Sequence, residues 1–340
     1  MNIVQRNFFR LLRAGAFGSK EQIEPMSAWK WGEVLRLSVA CHVEVYTLEG
    51  IRHCSDQFFM SMPSVLLDEW RQKADAATAL CHKKNSDVRA LLQVLGEQQL
   101  RPILIGEWAT ILFNGSDSTD GGTVLIFFPF DTQGQKADAW AASQGSDVKN
   151  TRSNVIQYEW RSLDVEHRHR MVQLNNRLSN TALQRIIEEQ RREEPPVFID
   201  NDGNRIETIN PTLSLLVSLT ELVRAMLGNG IETAHIIDLG MQIRQRGHRV
   251  DFLKLIGWIE RLHLERVAWI AASMLTQLMG FADDEVPFVE GSEKSAPADS
   301  LADALLAKES QKTRYFRYMP GESIASILAS VAHSLNQVEE

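Results

Sequence analysis

The chain has 340 residues, enough for two or three modules with cores of their own. Hydrophobic residues make up 44% and charged residues 24%, the ordinary balance of a globular protein. A net charge of -8 excludes a chain built as a whole to coat nucleic acid or an anionic membrane, and leaves room only for local basic patches.

The first region, residues 1–98, reads as helical. Val4, Phe8, Leu11 and Leu12 recur at helical spacing, mixed with Arg6, Arg10 and Arg13. This stretch lacks the continuous apolar centre of a secretion signal, and as a basic amphipathic helix it packs on the next helices rather than on a membrane. Ser27 is positioned to cap a helix from Ala28 to about Cys41. Further helices are expected over Val65–Lys83 and Val88–Gln98. Cys41, Cys54 and Cys81 each neighbour a histidine, but adjacent helical residues point about 100° apart and make poor chelates. They read as reduced structural thiols of a cytoplasmic protein. No run approaches the roughly 18 apolar residues of a membrane span.

Residues 99–208 change character. The short apolar runs Ile103–Ile105, Val124–Phe128 and Val155–Trp160 alternate with helical or turn-forming stretches, among them Gln135–Gln144, the pattern of an α/β or α+β module. Leu163–Gln190 reads as a helix rich in His, Arg and Asn. Asn201-Asp202-Gly203 is a turn signal closing a hairpin between Val197–Asp200 and Arg205–Thr208.

Residues 209–285 read as a helical bundle. Asn210-Pro211 is a cap followed by proline at the first helical position. Helices are expected over Leu213–Leu227, Ala234–Arg246, Asp251–Leu262 and Arg266–Leu278, joined by short connections. Residues 286–340 read as a linker, Phe288–Asp299, and a tail helix, Glu322–Leu335.

Three segments carry a family resemblance: Leu37-Ser38-Val39-Ala40-Cys41-His42-Val43, Leu104-Ile105-Gly106-Glu107-Trp108-Ala109, and His235-Ile236-Ile237-Asp238-Leu239-Gly240 followed by Val250-Asp251-Phe252. In this order and spacing the chain resembles a bacterial nucleotidyltransferase family. The resemblance implies an α+β fold: a small mixed-sheet, polymerase-beta-like core between an N-terminal helical region and a C-terminal helical bundle.

The resemblance also implies a chemistry. Nucleotidyl transfer uses two divalent cations beside a nucleoside triphosphate. Carboxylates at i and i+2 of one strand hold both ions, and a neighbouring strand supplies a third acid. In this chain Ile105 stands where the family has lysine before Gly106. The strand expected to carry the acid pair aligns with Gly122-Thr123-Val124, which has no carboxylate. The third acid's place aligns with Gln157 in Ile156-Gln157-Tyr158-Glu159. Asp117, Asp120 and Glu159 are the candidate acids of a displaced metal site, and Gly106, Gly121 and Gly122 the candidate phosphate-contacting turns. The bland reading makes Asp117 and Asp120 ordinary turn formers and Glu159 a solvated strand residue.

The resulting expectation is a pseudoenzyme: a nucleotidyltransferase-like protein with a degraded metal and nucleotide site, acting by binding or assembly with a protein partner. It has no resident cofactor, and nucleic acid is not its ligand. The alternatives are an active Mg²⁺-dependent enzyme taking a nucleoside triphosphate, and an adaptor recruiting its partner through the 290–340 tail.

Other clusters carry less. His167-Arg168-His169-Arg170 with Arg152 and Arg161 reads either as a phosphate or RNA contact, or as a solvated helix face paired with Asp164 and Glu166. Lys312, Arg314 and Arg317 interleave with Tyr315, Phe316 and Tyr318 as a docking or partner-binding strand. His235 and Asp238 share a helix face, as a metal pair, an acid–base dyad or an internal cap. No phosphate-binding loop motif, nucleophile elbow or dinucleotide fingerprint occurs.

Overall fold

The structure is a computed structural model. It describes residues 1–306 apart from 58–61, 116–117, 119–120, 145–148, 152–154, 202–203, 229 and 289–297. The fold is a mixed α+β arrangement, mainly helical. Four N-terminal helices come first: α1 (Ile3–Phe17), α2 (Ala28–Ala40), α3 (Glu44–His53) and α4 (Ser64–Glu97). Asn2 caps α1 through a reciprocal box with Gln5, and Gly18 ends it in the left-handed conformation. Ser27 precedes α2 but makes no side-chain capping bond. The two helices expected between residues 65 and 98 are one continuous helix, and its polar middle is used: Asp87 on α4 accepts hydrogen bonds from Arg161 and Ser162.

The sheet region follows as β1 (Ile103–Ile105), α5 (Glu107–Asn114), β2 (Val124–Phe127), α6 (Asp131–Ser143), β3 (Lys149–Thr151), β4 (Val155–Trp160) and β5 (Leu163–Arg168). The spatial order is β1-β2-β5-β4-β3. Only the β2–β5 pair is parallel; the other pairs are antiparallel. The stretch from Leu163, expected to be helical, is therefore first the central strand, and α7 begins only at Arg177 and runs to Glu193. Leu163 to Arg168 joins β4 through the two-residue turn Arg161-Ser162, with Arg161 at φ 54°. No Gly or Asn marks that turn. Asp87 holds it instead, and the Arg161 guanidinium stacks 4.3 Å from the Trp160 ring.

The hairpin β6 (Val197–Asn201) and β7 (Asn204–Thr208) forms where its turn residues place it. The bundle comprises α8 (Pro211–Leu227), α9 (Thr233–Arg246), α10 (Phe252–Leu262) and α11 (Glu265–Gln277). Asn210 accepts the Leu213 amide and Asp251 the Lys254 amide, as N-caps do. Val286 and Phe288 are buried, and α12 (Ala298–Leu306) buries Leu301, Ala302 and Leu305 in the same core as the bundle. The expected helix Glu322–Leu335 and the basic-aromatic run 312–318 lie outside the described residues.

The sheet separates two apolar cores. Leu104, Val124, Ile126, Phe128, Tyr158 and Val165 belong to a core shared with α4, α5 and α6. Ile103, Ile105 and Phe127 join the larger core built from α1, α3 and the C-terminal helices. Period-two alternation of the strands assigns one set of side chains to each. No described helix is long and apolar enough to cross a membrane. The three cysteines are free thiols.

Helices α1 and α3 touch through glycine. A Cβ on Gly15 would lie 1.7 Å from the Tyr46 carbonyl oxygen, and one on Gly50 would lie 2.0 Å from that of Leu11. Backbone atoms, not flexible side chains, occupy those positions. Gly15→Ala or Gly50→Ala is therefore expected to force the helices apart and to cost about 1–3 kcal/mol or more. Thermal unfolding should show the loss in both variants, and an unchanged midpoint would mean that the helices do not cross there.

Candidate functional site

A cavity of about 430 Å³ opens on the bundle side of the sheet. Its sheet wall is Thr123 and Leu125, on the approach to β2 and on β2 itself, with Glu166 and Arg168 on β5. Leu125 stands directly beside Glu166 in the parallel register. Helix α8 contributes Ser218, Glu221 and Arg224, and α9 contributes His235 and Asp238.

The loop glycines complete the rim. Gly106, at φ 72°, precedes α5, and Gly121 and Gly122 precede β2. Trp108, fully buried on α5, donates from Nε1 to the Gly122 carbonyl at 3.1 Å. A Cβ on Gly121 would lie 2.3 Å from the Trp108 ring, and φ is 69° there, so this position requires glycine on both counts.

Charge is arranged as a closed network. Arg168 is 3% and Glu166 4% exposed. Arg168 donates to Glu166 at 2.8 and 2.9 Å and to Glu221 Oε1 at 2.6 Å. Arg224 reaches Glu166 Oε1 at 3.4 Å and Glu221 Oε2 at 3.7 Å. Gln157 on β4 donates its amide to Glu166. Burial alone would raise the Glu166 carboxyl, but Arg168, Arg224 and Gln157 outweigh it and hold it below the ordinary carboxylate range. Burial likewise opposes the charge on Arg168, and the two carboxylates more than restore it.

Across the cavity, α8 and α9 share a polar seam. Gln242 donates to Ser218 at 2.8 Å and to Asp238 at 2.9 Å. Burial pushes the Asp238 carboxyl up, against the opposing pull of Gln242, His235 and Ser218. His235 and Asp238 do face one cavity, but His235 Nδ1 accepts the Glu232 amide, a helix-capping role. Among the described residues no group of three or more His, Cys, Asp or Glu is arranged to hold a metal ion.

The sequence candidates distribute unevenly. Gly106, Gly121 and Gly122 line the cavity. Asp117 and Asp120 lie outside the described residues. Glu159 is exposed on β4, opposite Asp164, and does not line the cavity. The strand beside β2 is β5, not β4, so the acid neighbouring β2 is Glu166 rather than Gln157 or Glu159. Likewise, the β2-side residues that face the cavity are Thr123 and Leu125, one residue on from the Gly122 and Val124 alignment. Glu166, Glu221 and Arg224 belong to none of the sequence's candidate sites, and Arg168 enters only through the basic cluster His167–Arg170. The alternating Leu163-Asp164-Val165-Glu166 was the available signal for the strand that carries the first two.

The cluster His167–Arg170 is not a solvated helix face. On the opposite side of the sheet His167 is fully buried, with Nε2 2.8 Å from the Tyr158 hydroxyl and Nδ1 3.3 Å from Asp138. Asp138 on α6 also meets His169 Nε2 at 2.7 Å. This relay fastens α6 to β5. Burial pushes His167 below its ordinary value despite Asp138.

Two predictions follow from these networks. Arg168→Met leaves two carboxylates without their shared cation and should cost about 3–5 kcal/mol at neutral pH. Adding Glu166→Gln and Glu221→Gln should recover much of that loss in denaturant titrations, and a triple variant no better than Arg168→Met would contradict the network. Separately, a histidine held neutral by burial binds its proton more readily when unfolded, so stability should fall as pH drops below the ordinary histidine value of 6.5. His167→Gln should flatten that dependence, and an unchanged slope would assign it to other groups.

Compared with models of protein families, with curated proteins and with solved structures, the chain finds no match.

Proposed function

We propose that this chain is a nucleotidyltransferase-like protein whose metal site has been replaced by internal ion pairs, and that it works in the cytoplasm by binding or assembly with a protein partner rather than by catalysis. One observation carries the reading. Where a transferase of this kind would present paired acids on β2, the side chains facing the cavity are Thr123 and Leu125, and the acid beside them on β5, Glu166, is already paired with Arg168 and Arg224.

The two carboxylates between β5 and α8 do not fit the implied ions. Magnesium requires several oxygen ligands in octahedral geometry. The Glu166 oxygens already accept hydrogen bonds from Arg168, Arg224 and Gln157, and the Glu221 oxygens face the same guanidinium groups. The pairing of these two carboxylates with arginine supports the non-catalytic reading. Their chemistry suits a rigid joint between the sheet and α8.

The full chain, incubated with each of the four ribonucleoside triphosphates and Mg²⁺ or Mn²⁺, is expected to release no pyrophosphate above a heat-denatured control and to label neither itself nor an added acceptor. Pyrophosphate release abolished by Asp120→Asn, Glu159→Gln or Glu166→Gln would overturn the proposal in favour of an active enzyme with a displaced carboxylate set.

A further inference from the structure

A second, larger cavity of about 670 Å³ lies between the β6–β7 hairpin, the C-terminal end of α4, and α7. Its charge runs against that of the chain. Arg89, Arg101, Arg191 and Arg205 line it against two carboxylates, Glu194 and Glu207, in a protein of net charge -8. Two aromatic rings stand at the same place, Phe130 at 56% and Phe198 at 39% exposure. Two exposed rings at one cavity form a local apolar patch, which marks a ligand site more than a single exposed ring would.

The arginines are organised around the rings. The Arg205 guanidinium carbon lies 4.2 Å from the Phe198 centroid, and that of Arg191 lies 5.8 Å from Phe130 and 5.6 Å from Phe127. A guanidinium stacked on a ring keeps its N–H fork available at the edge and loses less freedom on binding an oxyanion. The ion pair of Arg191 with Glu188 on its own helix is long at 3.6 Å. Pro102, Pro129, Pro195 and Pro196 line the cavity and stiffen its backbone. The hairpin is anchored to the edge strand by the Thr208 hydroxyl, which donates to the Leu104 carbonyl at 2.8 Å. The cavity is thus preformed, and its volume falls in the range of small-molecule sites.

We propose that this cavity binds a nucleoside phosphate, with the flat base against Phe198 or Phe130 and the phosphate on Arg101, Arg191 and Arg205. Flat rings and clustered guanidinium groups together select a ligand that carries both an aromatic face and oxyanions. A free nucleotide and the end of a nucleic-acid strand share that chemistry. The site is separate from the cavity at Glu166 and does not depend on how that cavity is read. Glu207 stands among these arginines, its carboxyl pushed up by burial against the pull of Arg101 and Arg191.

Calorimetric titration of the full chain with ADP, without divalent ions, tests the proposal apart from any metal-dependent event at Glu166. ADP should bind, with adenosine and inorganic pyrophosphate each weaker by about tenfold, since each offers one half of the recognition. Phe198→Ala and the exposed-site variant Arg205→Gln should each weaken ADP by about fivefold or more. Glu207→Gln should strengthen it by about twofold or more as a negative charge is removed. A short oligodeoxythymidylate that binds more tightly than ADP identifies a strand end as the ligand, and the reverse order identifies a free nucleotide. No ADP binding at millimolar concentration overturns the proposal. So does an affinity unchanged in Arg205→Gln with circular dichroism showing the native fold.

Discussion

Arg168 sits on the central strand of the sheet, almost without solvent contact, and its charge is tolerable only because Glu166 and Glu221 close around it. Those partners come from different elements. Glu166 is two residues away on β5, and Glu221 projects from α8, so one guanidinium ties the sheet to the C-terminal bundle. Arg224, one turn beyond Glu221, reaches both carboxylates from the outer side. The network thereby fixes the distance between strand and helix that defines the cavity. It also engages the oxygen atoms of Glu166 and Glu221.

The rest of the molecule is arranged around that joint. The left-handed glycines Gly106 and Gly121 and the buried Trp108 bring the loop before β2 to the cavity rim. On the other side of the sheet, Tyr158, His167 and Asp138 give α6 a polar anchor within an apolar core. Buried polar networks of this kind are stable when each member finds a partner, and they specify one arrangement of the elements more sharply than apolar packing does. The sheet thus carries a polar fastening on each face, from the neighbouring strand residues Glu166 and His167.

Much of the architecture was legible from spacing and capping. Ile103–Ile105, Val124–Phe127 and Val155–Trp160 are strands, Asn210-Pro211 opens α8, and the segments on either side of the turn signal pair as β6 and β7, because each signal is local. The central strand was not legible. Its turn, Arg161-Ser162, has no Gly, Asn or Asp, and its conformation is held by Asp87, more than seventy positions earlier. His167 and Arg168 break the apolar alternation because their partners lie on α6 and α8, which no local window contains. A helix over Leu163–Gln190 would put Glu166 on a solvated face; as part of β5 it stands beside β2 instead, whereas the third-acid position implied by the resemblance falls on β4, at Gln157 and Glu159. The polar segment within α4 misled in the same way, since Asp87 is there to hold the turn rather than to end a helix.

Under the proposed reading, Arg168 and Arg224 stand where divalent ions would be held. Manganese binding followed by electron paramagnetic resonance tests it directly, because free Mn²⁺ gives a signal that bound ion loses. The account predicts a full free-ion signal in the presence of stoichiometric protein, unchanged by Glu166→Gln. A stoichiometric loss of signal that Glu166→Gln restores would contradict it.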